Sequence, residues 1–529
     1  MQTTKKHLNR ALSLVLAVLL LCTLATAAAA AKPPAKNEVP VIFVAGFIST
    51  QTINQRTGET LFPPSANLIK AAMTDALEFS ASRLYKERSV DLKYPLNRAF
   101  LRLLDGIRCD ENGDPIIRYS GSAYVRPTPE SIRTKYHDDV GYTAADPIYY
   151  SYDWRLDLRT LAEYLHDFIE YVRECTGAQK VKLICHSMGT CVVSSYMYLF
   201  QDEYLDDVIL YMGALNGASS CGDPFENNID MDSETTMAAI NCMLGTDLKG
   251  ELARAAVDTL YQQGAVDLLV GVTDKMLVSL FDQLYAESMP YIFGRIPGFW
   301  ALIPAEYYNS VRNEFAAGVA SDKFYEKVDF YHTVQEHEIE TFTSVMKKGV
   351  GLSVIAKYGY PLAPVVESRY NDSDLVVDAK FSSLGATCAP YNSTLAADYV
   401  QAKHPEKNYI SPDRKIDAST CAFPDQTWFI KNSMHTDTIT SKPKMTAEEQ
   451  QMLQWILCAD GQPTVWDNPA YPQYMVYLPD GSLAPLTKEN NCDLLGNTVR
   501  EESFPARMTR ILNDLRQMLT LPLKSIKLF

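Results

Sequence analysis

Short apolar runs bounded by turn residues alternate with amphipathic segments in the first half of the chain. The runs at residues 39–45, 148–152, 181–185 and 208–212 have the length and aliphatic content of buried strands. Between them, residues 158–175 place apolar side chains at helical spacing. Strands that alternate with helices are typical of a mostly parallel sheet covered on both faces. The pattern therefore predicts an α/β fold.

This alternation stops between residues 226 and 345, where the sequence is helical in pattern and rich in Leu, Met, Phe and Tyr. Predicted strands near residues 364–366 and 427–430 resume the sheet. An insertion at this place would lie over the carboxyl edge of the sheet, where α/β enzymes bind their ligands. We expect either a helical cap over that edge or a helical subdomain that packs only on itself.

The predicted organisation has one catalytic core, interrupted by the cap and flanked by two terminal segments. The parts are a signal peptide at 1–31, a core in two pieces at 32–225 and 346–460, the cap at 226–345, a loop insertion at 386–425 inside the second core piece, and a C-terminal extension at 461–529. The extension is predicted to contain a hairpin around Asp480 and Gly481 and an amphipathic helix at 506–529.

The N-terminus has the order of features of a secretory signal peptide. Lys5, Lys6 and Arg10 precede an apolar run at 11–21 and a small-residue stretch at 25–31. We therefore expect a secreted protein. The formal net charge of −15 argues against nucleic acid as a partner, because phosphate binding requires clustered Lys and Arg.

The cysteines and histidines do not form a pattern that binds metal. None of the 11 cysteines belongs to a CxxC pair, and His332 and His337 are five residues apart, which places them on different helix faces. No cofactor and no metal are therefore predicted. Export makes disulfides permissible, with connectivity left open; the candidate pairs are Cys221 with Cys242, Cys388 with Cys421, and Cys458 with Cys492. Cys185 and Cys191 are expected to be packed thiols.

Residues 182–190 join a predicted strand directly to a helical pattern, with Ser187 at the junction. Such a turn is a nucleophile elbow, which presents the serine hydroxyl above the sheet at the N-terminus of a helix. The turn needs small residues two positions before and after the serine. Gly189 meets the second requirement, and Cys185 replaces the usual glycine at the first. Ser187 is therefore the predicted nucleophile.

Acyl transfer also requires two backbone NH groups directed at the charge that develops on the substrate oxygen. The residue after the nucleophile, Met188, supplies the first. The run at 39–45 leads into Gly46 and Phe47, so the NH of Phe47 is the predicted second donor. Gly46 alone would indicate only an ordinary turn.

A serine nucleophile needs a histidine base and a carboxylate that orients it, in the chain order Ser, Asp or Glu, His. His435 follows a predicted strand and precedes a helical pattern, whereas His404 lies in a polar loop and is interpreted as solvated. For the acid we choose Asp374 and keep Asp372 as the alternative. Asp378 is interpreted as a surface charge.

The segments Tyr152-Asp153-Trp154-Arg155 and His186-Ser187-Met188-Gly189 closely resemble the lecithin:cholesterol acyltransferase family and its phospholipid:diacylglycerol acyltransferase and phospholipase relatives. Residues 40–46, 296–304 and 372–376 are similar to the family's oxyanion loop, cap segment and acid motif. The resemblance implies an α/β-hydrolase fold with a large helical cap, and it places the catalytic aspartate on Asp374. It assigns no chemistry to residues 152–155, which we interpret as structural.

Three functions remain open at this stage. The resemblance implies attack by Ser187 on a lipid carboxylic ester, for which a membrane or micelle surface is an expected setting, and an acyl-enzyme that water then resolves. A lipid O-acyltransferase would use the same triad and pass the acyl group to a sterol or glyceride alcohol. The third alternative is a non-catalytic secreted protein that retains the hydrolase fold.

Overall fold

A computed structural model describes residues 36–47, 49–87, 93–244, 248–436 and 445–492. Its centre is an eight-stranded sheet. The strands are β1 Val41–Val44, β2 Thr52–Asn54, β3 Thr60–Phe62, β4 Ser120–Ser122, β5 Ile148–Tyr150, β6 Val181–His186, β7 Leu205–Tyr211, β8 Gly351–Tyr358, β9 Tyr360–Pro361, β10 Asp372–Ser373, β11 Thr387–Cys388, β12 Ile416–Asp417, β13 Thr427–Lys431, β14 Tyr474–Tyr477 and β15 Leu483–Pro485.

The central sheet has the strand order β15, β14, β13, β8, β7, β6, β1, β5. Neighbouring strands are parallel throughout, except that β14 and β15 form an antiparallel hairpin. The predicted hairpin is present, and Gly481 in its turn has a φ of 84°, a left-handed conformation that glycine adopts without steric cost. Small two- and three-stranded sheets lie outside the central one.

Helices connect and cover these strands. The α-helices are α1 Ala66–Glu87, α2 Lys93–Leu104, α3 Pro129–Arg133, α4 Leu158–Thr176, α5 Met188–Phe200, α6 Ser219–Phe225, α7 Ser233–Met243, α8 Leu248–Gln262, α9 Ala265–Glu287, α10 Met289–Ile292, α11 Pro297–Trp300, α12 Tyr308–Ser310, α13 Asp322–Glu336, α14 Glu338–Lys347, α15 Ala379–Ser382 and α16 Ala447–Cys458. Within the ranges given above, no helix combines the length and apolar character needed to cross a membrane.

Five of the sheet strands, β1, β6, β8, β13 and β14, are buried at every position. Because successive side chains of a strand point to opposite faces, burial at every position means that both faces are covered. The predicted α/β-hydrolase class is therefore confirmed: a mostly parallel sheet lies between layers of helices.

One predicted strand is wrong. Residues 364–366 lie in a loop, and the strand that pairs with both β7 and β13 is β8, Gly351–Tyr358. Its sequence contains Ser353 and Lys357, which interrupt the apolar run. Lys357 is nevertheless only 2% exposed. Its burial is possible because its ammonium group pairs with Glu449 at 3.1 Å and donates a hydrogen bond to the Tyr211 hydroxyl at 2.9 Å.

Between β7 and β8 the described chain is helical, and part of it has an apolar cluster separate from that of the sheet. This second cluster contains Phe225, Trp300, Ile303, Tyr308, Phe315 and Phe324. The predicted boundaries of the core pieces, cap and extension stay predictions. The segments predicted as signal peptide and as terminal amphipathic helix lie outside the described residues.

The structure has Cys221, Cys388, Cys421 and Cys458 as free thiols. The candidate bridges from Cys388 to Cys421 and from Cys458 to Cys492 are therefore not formed. Closeness in sequence was an insufficient guide, because a disulfide requires a specific distance and orientation of the two cysteine backbones. The Cys221 side chain is partly buried, and its desolvation raises the pKa of the thiol to about 11.

Candidate active site

Ser187 forms the turn between strand β6 and helix α5. Its φ of 55° and ψ of −127° are values that residues other than glycine rarely adopt, and a strained residue at a strand-to-helix turn is the mark of a nucleophile elbow. The Ser187 NH donates to the Tyr211 carbonyl at 3.2 Å, and the Ser187 carbonyl accepts the Thr190 NH at 2.9 Å. The turn is thus held from strand β7 and from its own helix.

Two glycines allow the chain to pass close to this turn. A Cβ on Gly189 would lie 2.6 Å from the Val44 carbonyl oxygen and 2.7 Å from that of Ala45, so no larger residue fits without moving backbone. A Cβ on Gly46 would lie 2.7 Å from the Ser187 Cβ. Strand β1 and the loop after it therefore press directly against the elbow.

The cysteine two residues before the serine is enclosed within the sheet. Cys185 is 0% exposed, and burial raises the pKa of its thiol well above the ordinary value. Cys191, on the elbow helix, is also fully buried, and its pKa is raised to about 12. Both are packed thiols in the structure, and neither supplies a thiolate near neutral pH.

The carboxylate of Asp374 bonds the ring of His435. Asp374 Oδ2 lies 2.8 Å from His435 Nδ1, and the His435 backbone NH donates to the Asp374 carbonyl at 3.0 Å. The other carboxylate oxygen accepts the backbone NH groups of Val376 at 3.0 Å and Val377 at 2.8 Å. Asp374 is 1% exposed and His435 is 6% exposed. The arrangement fixes the histidine tautomer with its Nε2 atom free to act as a base.

The alternative acid and base have other partners. Asp372 accepts the Gly359 NH at 2.6 Å and pairs with Lys415 at 3.1 Å, so its carboxylate joins residues 371–378, the acid loop, to a neighbouring segment. His404 has a half-exposed side chain beside Glu406, 3.5 Å away. The structure therefore brings Asp374, and not Asp372, to His435.

The His435 ring lies next to the ring of His186, a residue of the elbow. The two imidazole rings lie 4.9 Å apart between centroids, and His186 directly precedes Ser187. Ser187 and His435, both in the described part of the chain, are not hydrogen bonded to one another. Hydrogen bonds of this kind are often long or poorly aligned without substrate and tighten in the complex.

The predicted oxyanion donors belong to the two segments that meet at the elbow. Met188 is fully buried at the first position of helix α5. Phe47 follows Gly46, and its ring packs edge-on against Trp154 at 4.6 Å and Phe299 at 5.6 Å. The side chain of Phe47 therefore packs between Trp154 and helix α11, which fixes the segment that carries its NH.

His186 and Asp378 are site residues that the sequence interpretation did not identify. The His186 ring is buried, and neither of its nitrogens has a hydrogen-bond partner among the described residues. Burial is the main cause that holds the pKa of His186 well below the ordinary value, with a smaller contribution from the charges of His435 and Lys357. This ring therefore packs in its neutral form behind the base. Its adjacency to Ser187 was the available signal.

Asp378, interpreted as a surface charge, is fully buried, so that interpretation is wrong. Its carboxylate accepts the Ser219 NH at 2.8 Å, the Ser219 hydroxyl at 2.9 Å and the Asn371 amide at 2.6 Å. Asp378 therefore links the acid loop to the start of helix α6. These partners are 7 and 159 residues away along the chain, which no local pattern reveals.

The segment 152–155 has structural contacts. Arg155 is 0% exposed, bonds both carboxylate oxygens of Asp153 at 2.8 and 2.6 Å, and donates to the Ser120 hydroxyl at 3.0 Å. The Tyr152 hydroxyl donates to the Ala45 carbonyl at 2.9 Å, directly before the loop of Gly46 and Phe47. These side chains hold the loop beside the elbow.

Comparison with known proteins bears on the segment that contains the elbow. Residues 134–221 match the family model of lecithin:cholesterol acyltransferase. The family resemblance is confirmed. The matched residues include strand β6, Ser187 and helix α5.

Two further comparisons are of whole chains. Among solved structures, the chain is similar to a chain of the crystal structure of the Tle4-Tli4 complex, at 14% identity and a TM-score of 0.21, over 60% of this chain and 75% of that one. A comparison with curated proteins finds no match.

Among the described residues, His166, Asp167 and Glu170 bring potential metal-ligand atoms within 4.8 Å of one another. All three lie on helix α4, and none belongs to the elbow or to the acid loop. No step of the chemistry that Ser187, His435 and Asp374 support requires them.

Proposed function

We propose that this protein is a secreted serine hydrolase that cleaves carboxylic esters of lipids through an acyl-enzyme on Ser187. The single observation that supports it most is the 2.8 Å bond between Asp374 and His435, made beside a strained elbow serine. The family match at residues 134–221 supports lipid esters as the substrate class. The N-terminal sequence supports export.

In the first half of the reaction, His435 Nε2 takes the proton of the Ser187 hydroxyl as Oγ attacks the ester carbonyl. Nδ1–H stays bonded to Asp374, which stabilises the imidazolium that forms. The NH groups of Phe47 and Met188 stabilise the negative charge on the former carbonyl oxygen. When the C–O bond breaks, His435 gives its proton to the leaving alcohol, and the acyl group remains on Ser187.

In the second half, His435 takes a proton from the incoming water as the water oxygen attacks the acyl-enzyme. Collapse of the second tetrahedral intermediate returns the proton to Ser187 Oγ and releases a fatty acid. Each proton moves between the reactants and the same imidazole nitrogen, so no further acid or base is needed.

A fluorophosphonate probe tests this proposal, because it forms a covalent bond only to an activated serine, with loss of fluoride. We expect the wild-type protein to be labelled and Ser187→Ala to be unlabelled and inactive on lipid esters. Ser195→Ala is the matched control, since Ser195 lies on the same helix and its hydroxyl donates only to the Cys191 carbonyl. Absence of labelling in the folded wild type would favour the non-catalytic alternative.

Acyl transfer is the second candidate, since the matched family model is that of an acyltransferase. The two reactions share the acyl-enzyme and differ in whether water or a lipid alcohol attacks it. Radiolabelled phosphatidylcholine, supplied with and without cholesterol or diacylglycerol, separates them. Free fatty acid as the sole labelled product in all mixtures excludes transfer to these acceptors; labelled sterol ester or triglyceride establishes it.

A further inference from the structure

A buried ion pair lies behind the elbow and takes no part in the reaction proposed above. Lys357 of strand β8 and Glu449 of helix α16 pair at 3.1 Å, and their side chains are 2% and 1% exposed. Removing two charges from water costs about as much free energy as their attraction returns, so a buried pair adds little to stability. The stability of the fold therefore does not account for two charges at this place.

Hydrogen bonds connect the pair to the backbone that holds the nucleophile. The Tyr211 hydroxyl donates to Glu449 Oε1 at 2.6 Å and accepts from Lys357 Nζ at 2.9 Å. Tyr211 ends strand β7, and its carbonyl oxygen accepts the Ser187 NH at 3.2 Å. The ion pair thus fixes the side chain of the residue whose backbone supports the elbow.

Glu449 has further partners at the start of helix α16. Its Oε2 atom accepts the Tyr477 hydroxyl at 2.8 Å, and this hydroxyl oxygen lies 2.8 Å from Thr446 Oγ1. Thr446 caps the helix by accepting the Glu449 NH at 3.2 Å. A carboxylate in the first turn also interacts favourably with the helix dipole. These contacts hold the carboxylate in one orientation beside Lys357.

Two buried rings separate the pair from the base. The Lys357 ammonium group lies 4.9 Å from the centroid of the Tyr211 ring, which packs against the His186 ring at 6.0 Å. The His186 ring packs in turn against the His435 ring at 4.9 Å. Neither nitrogen of His186 has a hydrogen-bond partner in the part of the chain that the structure describes. This stack of rings therefore leads from the ion pair directly to the base.

Both intervening rings are uncharged near neutral pH. Burial is the main cause that lowers the pKa of His186, and the charge of Lys357 contributes. Burial likewise raises the pKa of Tyr211 well above its ordinary value, with contributions from the charges of Glu449 and Asp374. The rings thus bring no charge of their own between Lys357 and the base. The charged or titratable side chains of this stack and its two ends are Asp374, His435, His186, Tyr211, Lys357 and Glu449.

We propose that Glu449 is a positioning residue that balances the charge of Lys357 beside the catalytic base. This role rests on the proposed function, in which His435 becomes an imidazolium as Ser187 loses its proton. An unbalanced ammonium group would repel that imidazolium, because a protein interior screens charge less than water does. The Glu449 carboxylate removes this repulsion and at the same time holds Tyr211 behind the elbow.

NMR titration of the His435 imidazole tests this role in full-length protein that contains labelled histidine, with the signal assigned by its absence from His435→Gln. Glu449→Gln leaves the Lys357 ammonium group unbalanced, so we expect the titration midpoint to move to lower pH by about one unit. Lys357→Met leaves the carboxylate unbalanced, so its midpoint should move to higher pH. The double variant Glu449→Gln/Lys357→Met has neither charge and should titrate like the wild type.

The same variants are compared in kcat per folded molecule on a soluble short-chain ester. We expect Glu449→Gln to lower kcat roughly tenfold with KM nearly unchanged, and the double variant to recover most of this loss. A merely structural role predicts the opposite order, since the double variant removes both buried partners.

Asp207→Asn is the matched control. It breaks the largely buried pair of Asp207 with Lys182, 2.7 Å apart, near the other end of strand β7. This variant should lower Tm and leave both kcat and the His435 titration unchanged.

Equal titration midpoints in Glu449→Gln and wild type would overturn the proposal, as would a double variant no more active than Glu449→Gln. If Glu449→Gln does not fold, the shift to higher pH in Lys357→Met decides in its place. The NMR titration needs no catalysis. Expected shifts without ester hydrolysis would therefore contradict the proposed function alone, whereas hydrolysis without these shifts would contradict the role of Glu449 alone.

Discussion

The elbow and the acid loop contribute to the same site but are held in place by different forces. The elbow, residues 185–189, is fixed by close backbone contact: Gly189 lies against the Val44 and Ala45 carbonyls, and Ser187 keeps a strained φ of 55°. The acid loop, residues 371–378, is fixed by hydrogen bonds of the buried Asp372 and Asp378 side chains to the distant residues Lys415 and Ser219. The elbow is thus constrained by steric contact, and the acid loop by hydrogen bonding and ion pairing.

This difference has a consequence for substitutions. At the elbow, adding atoms is harmful, because the neighbouring backbone has no room to move. In the acid loop, removing a charge or a hydrogen-bond acceptor is harmful, because the partner stays buried without compensation. The two aspartates Asp372 and Asp374 are nearly adjacent in sequence and both buried, but their partners differ: Asp374 bonds His435 and Asp372 pairs with Lys415.

The largest effect is expected from Asp374→Asn. The amide cannot hold His435 in the tautomer that accepts a proton at Nε2, so kcat should fall by up to about 10⁴-fold with the fold retained. Turnover of a soluble short-chain ester and Tm are measured together. Asp372→Asn is the matched control: it breaks the pair with Lys415, so we expect lower stability and nearly normal kcat per folded molecule. The reverse outcome would make Asp372 the acid.

The elbow could be predicted from the sequence more completely than the acid loop, because the elbow depends on neighbouring residues and the acid loop on distant hydrogen-bond partners. A sharp turn requires small residues at fixed neighbouring positions, so Ser187 and Gly189 were apparent within a few residues of chain. The pairing of Asp372 with Lys415 spans 43 residues, and that of Asp378 with Ser219 spans 159. Nothing local distinguishes such aspartates from surface charges.

Strand β8 was missed on similar grounds. Lys357 makes its sequence too polar for a buried strand unless the partners Glu449 and Tyr211 are known, and these belong to helix α16 and strand β7. The strands composed of uninterrupted aliphatic residues, β1 and β6, were predicted to within two residues at each end. Hydrophobic periodicity therefore fails to predict a strand in which a charged side chain is buried.

Gly189→Ala should have the next largest effect, and it tests the steric half of the comparison. The added methyl group would meet two backbone oxygens, so we expect the free energy of unfolding to fall by roughly 1–3 kcal/mol or more, together with loss of activity. Gly271→Ala is the control. Gly271 is an exposed residue of helix α9 with nothing within 4 Å of its Cβ position, and alanine there should stabilise by about 0.5–1 kcal/mol. Urea denaturation measures both; equal changes would show that the elbow is not sterically constrained.

A more gradual effect, spread over several pH units, concerns Glu338, a buried carboxyl group that accepts a hydrogen bond from the Ser194 hydroxyl of helix α5 at 2.6 Å. Burial raises its pKa from 4.5 to about 8. The folded protein therefore holds this proton between about pH 4.5 and 8 while the unfolded chain has released it, so the free energy of unfolding falls as pH rises through this window, by at most ~1.4 kcal/mol per pH unit. Glu338→Gln has no such proton, and its stability relative to wild type should improve from pH 5 to pH 8 in urea denaturation. Glu340→Gln, an exposed position on the same helix, should follow the wild type at every pH. Parallel curves for Glu338→Gln and wild type would mean that the folded protein does not hold a proton on Glu338 over this pH window.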